Sequence, residues 1–178
     1  MITFLKATGN GDLGSRVWVK IRTMAEAAKT GVAADERERI EPFLGSWALV
    51  SLEHVLPSGE VSRPLGDSPV GSILYQPDGH MSAQLSVGSP ARFVNDDLDQ
   101  ASAEEATQAW RTYLGYWGSF KVLVEKGVVV HRVEGSSFPN WIGTEQVRHF
   151  HFDGANRLIL ETQSSSGRHT LVWQRRIE

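Results

Sequence analysis

From residue 44 onward, apolar and polar residues alternate with a period of two, the pattern of strands with one face against a core. The segments 48–56, 70–75, 80–87, 116–124, 128–134, 146–152, 157–162 and 168–173 follow it, and a short edge segment ends at Pro64. Met81, Ala83, Leu85 and Val87, for example, share one face, with His80, Ser82, Gln84 and Ser86 on the other. Turn chemistry separates the segments: Pro57-Ser58-Gly59, Pro77-Asp78-Gly79, Glu125-Lys126-Gly127, Asp153-Gly154 and residues 164–167. One stretch has a different period. Ser102-Ala103-Glu104-Glu105 is a capping box. Ala106, Ala109, Trp110, Tyr113, Leu114 and Trp117 then follow at helical spacing, with an exit expected near Gly115 and Gly118. Consecutive hairpins with one inserted helix predict a mainly β fold, an antiparallel up-and-down barrel of about 8–10 strands. Such a barrel is wide enough inside for one small ligand.

The first 40 residues break the pattern. Gly9, Gly11 and Gly14 have the spacing of a dinucleotide-binding loop. That spacing carries meaning only between a strand and a helix, whereas residues 15–22 alternate like a strand. Residues 24–29 are helix-prone, and Met24 offers a second start. The expected organisation is an N-terminal extension over 1–40, partly helical or flexible, followed by a barrel domain over 41–178.

Composition narrows the function. A net charge of −3 gives no electrostatic reason to expect nucleic acid or an anionic membrane as partner. The chain has no cysteine, so disulfides and thiol chemistry are excluded. No apolar run is long enough to span a bilayer and the N-terminus lacks a secretory core, so a cytoplasmic location is the default expectation. The oligomeric state is left open, a homodimer included.

Candidate chemistry gathers around residues 131–148, where a strand end, a corner and the next strand meet. Gln146, Arg148, Phe150 and Phe152 fall on one face. If the phenyl rings face inward, so does the guanidinium, whose planar fork suits a carboxylate or enolate. The competing readings are an ion pair with Glu134 or Glu145, or exposure at the rim. His131 alternates with Val129 and Val133, and is either a general acid–base group or a hydrogen-bonded core histidine. Tyr75 shares a face with Ile73 and offers a hydroxyl. Asn140 and Trp141 sit in the corner, the first as a polar contact or a turn residue, the second as an aromatic wall. Rings from Trp47, Tyr75, Trp110, Tyr113, Tyr116 and Trp141 are expected to wall a cavity. His149 and His151 point the same way, opposite Arg148, and with His169 they make a weak metal constellation. No metal or cofactor is expected.

Several motifs resemble one family. Gly45-Ser46-Trp47 heads the first strand as the glycine–tryptophan signature does in lipocalins and related calycins. Pro64-Leu65-Gly66, residues 71–75, Gly79-His80-Met81, Phe138-Pro139-Asn140-Trp141, residues 143–146 and Arg148 resemble the bacterial and fungal lipocalin-like domain proteins. The resemblance spans roughly residues 44–173. It implies a small barrel with a central cavity, and for some members a place in secondary metabolism.

Two functions follow as expectations. The first is a binding module for a small hydrophobic ligand with an anionic or carbonyl head, oriented by Arg148, Gln146 and Asn140. The second is a cofactor-independent cyclase or isomerase for a polyketide-like metabolite in the same cavity. In that case His131 moves a proton and Arg148 stabilises an enolate.

Overall fold

The computed structural model describes residues 35–177. The chain divides into two compact units, residues 1–38 and 39–178. Residues 35–40 are helical. The expectations for the glycine motif at 9–14, the helix-prone segment at 24–29 and the alternative start at Met24 lie outside the described residues.

The second unit carries nine strands: β1 (Gly45–Val55), β2 (Val61–Ser62), β3 (Val70–Tyr75), β4 (His80–Ser86), β5 (Tyr113–Leu123), β6 (Val128–Ser136), β7 (Glu145–Phe152), β8 (Arg157–Ser164) and β9 (Gly167–Arg175). From β3 to β9 every strand pairs antiparallel with its sequence neighbour. The first strand closes the circle. Its opening residues pair with β3 (Gly45↔Tyr75), and most of its length pairs with β9 (Trp47↔Arg175 through Val55↔Arg168). Strand β2 is an extra strand beside the far end of β1 (His54↔Ser62). The result is the expected up-and-down barrel, and closure leaves it few exposed edges. The Pro77-Asp78-Gly79 turn works because Gly79, at φ 85°, takes a conformation that side chains disfavour.

The helix is shorter than its apolar stripe suggested. It runs over Ala103–Arg111 (α1), and β5 begins at Tyr113. Tyr113, Leu114 and Trp117 are strand residues. Spacing of three and four coincided here with a period-two pattern in which Leu114 and Tyr116 turn inward while Tyr113 and Trp117 turn out. The two outer rings lie over glycines. A Cβ built on Gly115 would meet the ring of Tyr113, and one on Gly135 would meet Trp117. Gly115 is thus a strand position covered by an aromatic neighbour, and Gly118 a strand position where a Cβ would meet the Arg132 carbonyl; neither is a helix stop. The capping box does form: Ser102 Oγ accepts from Glu105 N at 3.2 Å, and the Glu105 carboxylate accepts from Ser102 N at 2.8 Å. Because α1 buries no residue, Ser102→Ala should cost the helix about 1 kcal/mol. Hydrogen exchange should quicken in α1 alone; faster exchange in the barrel strands would contradict this.

One end of the barrel is sealed by aromatic side chains. Phe43 meets Tyr75, Phe150 and Phe152 edge-on, with centroids 5.6, 5.0 and 5.0 Å away. Trp47 is fully buried and donates its indole N–H to the carbonyl of Phe43 at 2.7 Å. The guanidinium of Arg175 lies 4.0 Å from the Trp47 ring centroid and donates to the carbonyls of Pro42 and Leu44. The cavity is therefore left to the rest of the barrel.

Candidate functional site

The barrel encloses a cavity of ≈ 450 Å³, within the usual range for small-molecule sites. Its wall is mostly apolar, with Leu52, Ile73, Leu85, Leu160 and Leu171 prominent. Tyr116, Trp141, Gln146, Arg148 and His169 bring polar or aromatic groups to the same space. They come from β5, the corner after β6, β7 and β9, so barrel closure assembles them.

Arg148 is the distinctive group. It stands opposite Val129 of β6, and only 8% of its surface is exposed. Its Nη1 donates to its neighbour's carbonyl, Val147 O, at 3.2 Å, and its guanidinium carbon lies 5.7 Å from the Trp141 ring centroid. Among the described residues, no carboxylate comes within salt-bridge distance. Glu134 and Glu145, the partners offered by sequence, are exposed on the outer face. A buried cation without a counter-charge is costly unless something else supplies hydrogen bonds and charge.

Beside it is a row of three hydrogen-bonded rings. His131, fully buried on β6, has Nε2 at 2.8 Å from the Tyr75 hydroxyl and Nδ1 at 3.0 Å from the Tyr116 hydroxyl. The row ties β3, β5 and β6 together through the barrel interior. Burial, and secondarily the charge of Arg148, lowers the His131 pKa from 6.5 to about 3, so the ring is neutral near pH 7. Burial raises the Tyr75 pKa well above its ordinary value and also raises that of Tyr116, with Arg148 opposing in both. Both phenols stay protonated at neutral pH.

The other candidates sort clearly. Tyr116, Trp141, Gln146 and Arg148 line the cavity, and Gln146 is half-buried, its amide donating to Thr144 Oγ1 at 3.0 Å. Tyr75 and His131 lie behind the wall and do not line it. Asn140 sits exposed on the short turn Pro139–Trp141, outside the lining, because that turn directs its neighbour Trp141 inward instead. Trp47 belongs to the sealed end, and Trp110 and Tyr113 are on the outside. His149 and His151 are exposed, away from His169, which stacks on His54 at 3.9 Å. Among the described residues, no three potential ligands are grouped to hold a metal.

Sequence reasoning missed His169 and Trp173 as wall residues. They alternate with Leu171 along β9, and that period-two signal was available. Trp173 also carries a buried indole N–H without a hydrogen-bond partner among the described residues.

A closed antiparallel barrel around a mostly apolar cavity is a lipocalin-like architecture. The chain belongs to the lipocalin-like domain family, whose sequence model matches residues 44–176. Over 80 residues it is 39% identical to the 4'-hydroxy-3'-methoxypropiophenone carrier protein ppsC of Aspergillus oryzae (strain ATCC 42149 / RIB 40), covering 42% of this chain and 72% of that protein. Solved barrels similar to it include a redesigned β barrel (11% identity, 78% of this chain and 96% of that one, TM-score 0.40). Another is the fluorescent protein UnaG (11% identity, 77% and 99%, TM-score 0.37). No helix among the described residues is long and apolar enough to cross a membrane.

Proposed function

We propose that the protein binds a small hydrophobic molecule inside the barrel and holds its anionic or carbonyl head at Arg148. The observation that carries this reading is the buried guanidinium in the cavity wall with no carboxylate near it among the described residues. A ligand oxygen supplies the missing acceptor, and the leucine-rich wall takes the apolar body. The relative's name adds a chemical class, since the compound it is said to carry is an aryl ketone with a phenol. A carrier of phenolic or polyketide-like metabolites, in secondary metabolism, is consistent with both.

The alternative, a cofactor-independent cyclase or isomerase in which His131 moves a proton, has weaker support. Both nitrogens of His131 are engaged by tyrosines, and it lies behind the cavity wall. Any proton it exchanged would have to pass through Tyr116.

The test is calorimetric titration with a panel of aryl ketones and aryl carboxylates that includes 4'-hydroxy-3'-methoxypropiophenone. Saturable 1:1 binding is expected. Arg148→Met, which keeps the volume and removes the charge, should weaken it roughly 10- to 100-fold, the worth of a hydrogen bond to a charged group. Unchanged affinity in a folded variant, or no saturable binding across the panel, overturns the reading.

A further inference from the structure

We infer that Tyr75 locks His131 in its Nδ1–H form and so leaves the Tyr116 hydroxyl as a hydrogen-bond donor aimed at an acceptor on the ligand's head group. The inference rests on the binding reading above and specifies its chemistry.

The argument is an accounting of protons. A neutral imidazole has one N–H and one bare nitrogen, so one tyrosine donates to His131 and the other accepts from it. The only partner of the Tyr75 hydroxyl among the described residues is His131 Nε2. If Nε2 carried the proton, Tyr75 would accept, and its own O–H would be stranded in the core, where 1% of the residue is exposed and it does not line the cavity described above. An unmade buried hydrogen bond of this kind is expensive. Tyr75 must therefore donate to Nε2, and the imidazole proton sits on Nδ1.

Nδ1–H then donates to the Tyr116 oxygen at 3.0 Å. The Tyr116 proton is left with no acceptor among the described residues. Unlike Tyr75, Tyr116 lines the cavity, so a ligand can reach it. The protonated imidazolium would release both hydroxyl protons, but the lowered pKa keeps that form away from neutral pH.

Two neighbouring groups agree in sign. The Arg148 guanidinium can only donate, and the wall residue Trp173 has an indole N–H without a partner among the described residues. The Gln146 amide oxygen, elsewhere in the wall, can accept. A ketone, aldehyde, carboxylate or phenolate oxygen satisfies the Tyr116 hydroxyl and the Arg148 guanidinium; an ammonium or amide N–H does not. Tyr75 and His131 are positioning residues that act through Tyr116.

The test has two readouts on the full chain. The first is the ¹⁵N imidazole spectrum of the ligand-free protein at neutral pH, which identifies the protonated nitrogen. Wild type should show His131 protonated at Nδ1. Tyr75→Phe removes the donor to Nε2 and should shift the population toward Nε2–H. The second compares binding of propiophenone with that of propylbenzene, which has the same outline and no oxygen. In Tyr75→Phe and Tyr116→Phe the preference for the ketone should fall about fivefold, one neutral hydrogen bond's worth, while propylbenzene binding stays the same. An Nε2–H wild type, or an undiminished ketone preference in both variants, overturns the inference and leaves the Arg148 reading standing. Failure of both compounds to bind wild type would instead overturn the binding reading and, with it, this one.

Discussion

Acidification from about pH 6.5 to pH 5 should cost the folded barrel roughly 2 kcal/mol through His131 alone, and the loss should approach roughly 5 kcal/mol near pH 3. The folded pKa, about 3, lies below the unfolded value of 6.5. Between those values the unfolded chain binds the proton and the folded one resists it. The contribution is thus fully present above pH 6.5 and is lost as pH falls toward 3. The loss runs at about 1.4 kcal/mol per pH unit. Arg148 and the two tyrosines are the groups that face the ring, and none of them can neutralise an imidazolium, since both phenols stay protonated. Asp78 and Glu105 also have lowered pKa values, held down by backbone N–H donors, and so lie outside the upper part of this window. His169, lowered by burial first and then by His54, shifts in the same direction as His131 and adds to the loss with the same sign. Urea unfolding at pH 7, 6 and 5 is the measurement. His131→Gln, whose amide can also accept once and donate once, should flatten most of the slope. A slope in the variant equal to that of wild type would place the acid-sensitive group elsewhere.

That histidine also marks how far the sequence could be read. Its burial was legible, because the alternation with Val129 and Val133 sets one face of one strand. Its partners were not. Tyr116 is 15 residues away on the neighbouring strand β5, but Tyr75 is 56 residues away on β3, which reaches His131 only across the interior of the curled barrel. The same distinction explains Arg148. Periodicity placed it with Gln146, Phe150 and Phe152, but could not decide between a ligand and Glu134 or Glu145 as partner. That choice depends on which face curls inward, a property of the whole sheet. Residues 113–117 failed for the opposite reason. A capped helix running directly into a strand leaves a stretch that fits both periods, and only the glycines under Tyr113 and Trp117 reveal the switch. Asn140 could equally have been a turn residue or a ligand contact, and it is exposed in the turn.

Trp47→Ala should cost roughly 3–5 kcal/mol, the range for removing a large buried aromatic side chain, and a large part of the stability of an ordinary domain. Trp47 is fully buried where β1 meets both β3 and β9, so it sits on the seam that turns a curved sheet into a barrel. Its removal leaves a void under Phe152, whose ring centroid lies 6.1 Å away. It also strands the Phe43 carbonyl and takes the ring from beneath Arg175. Arg175→Ala alone should cost less, because the guanidinium is partly exposed and its bonds are to carbonyls at the barrel's end. The two residues touch, so their costs should not add. A double-mutant cycle in urea should give a coupling of about 1 kcal/mol, as expected for a cation over an indole ring. If Trp47→Ala cost less than about 1 kcal/mol, strand pairing alone would be closing the barrel, and the aromatic plug would be filler. A large single-mutant cost with no coupling would instead assign the closure to burial, leaving the cation no part in it.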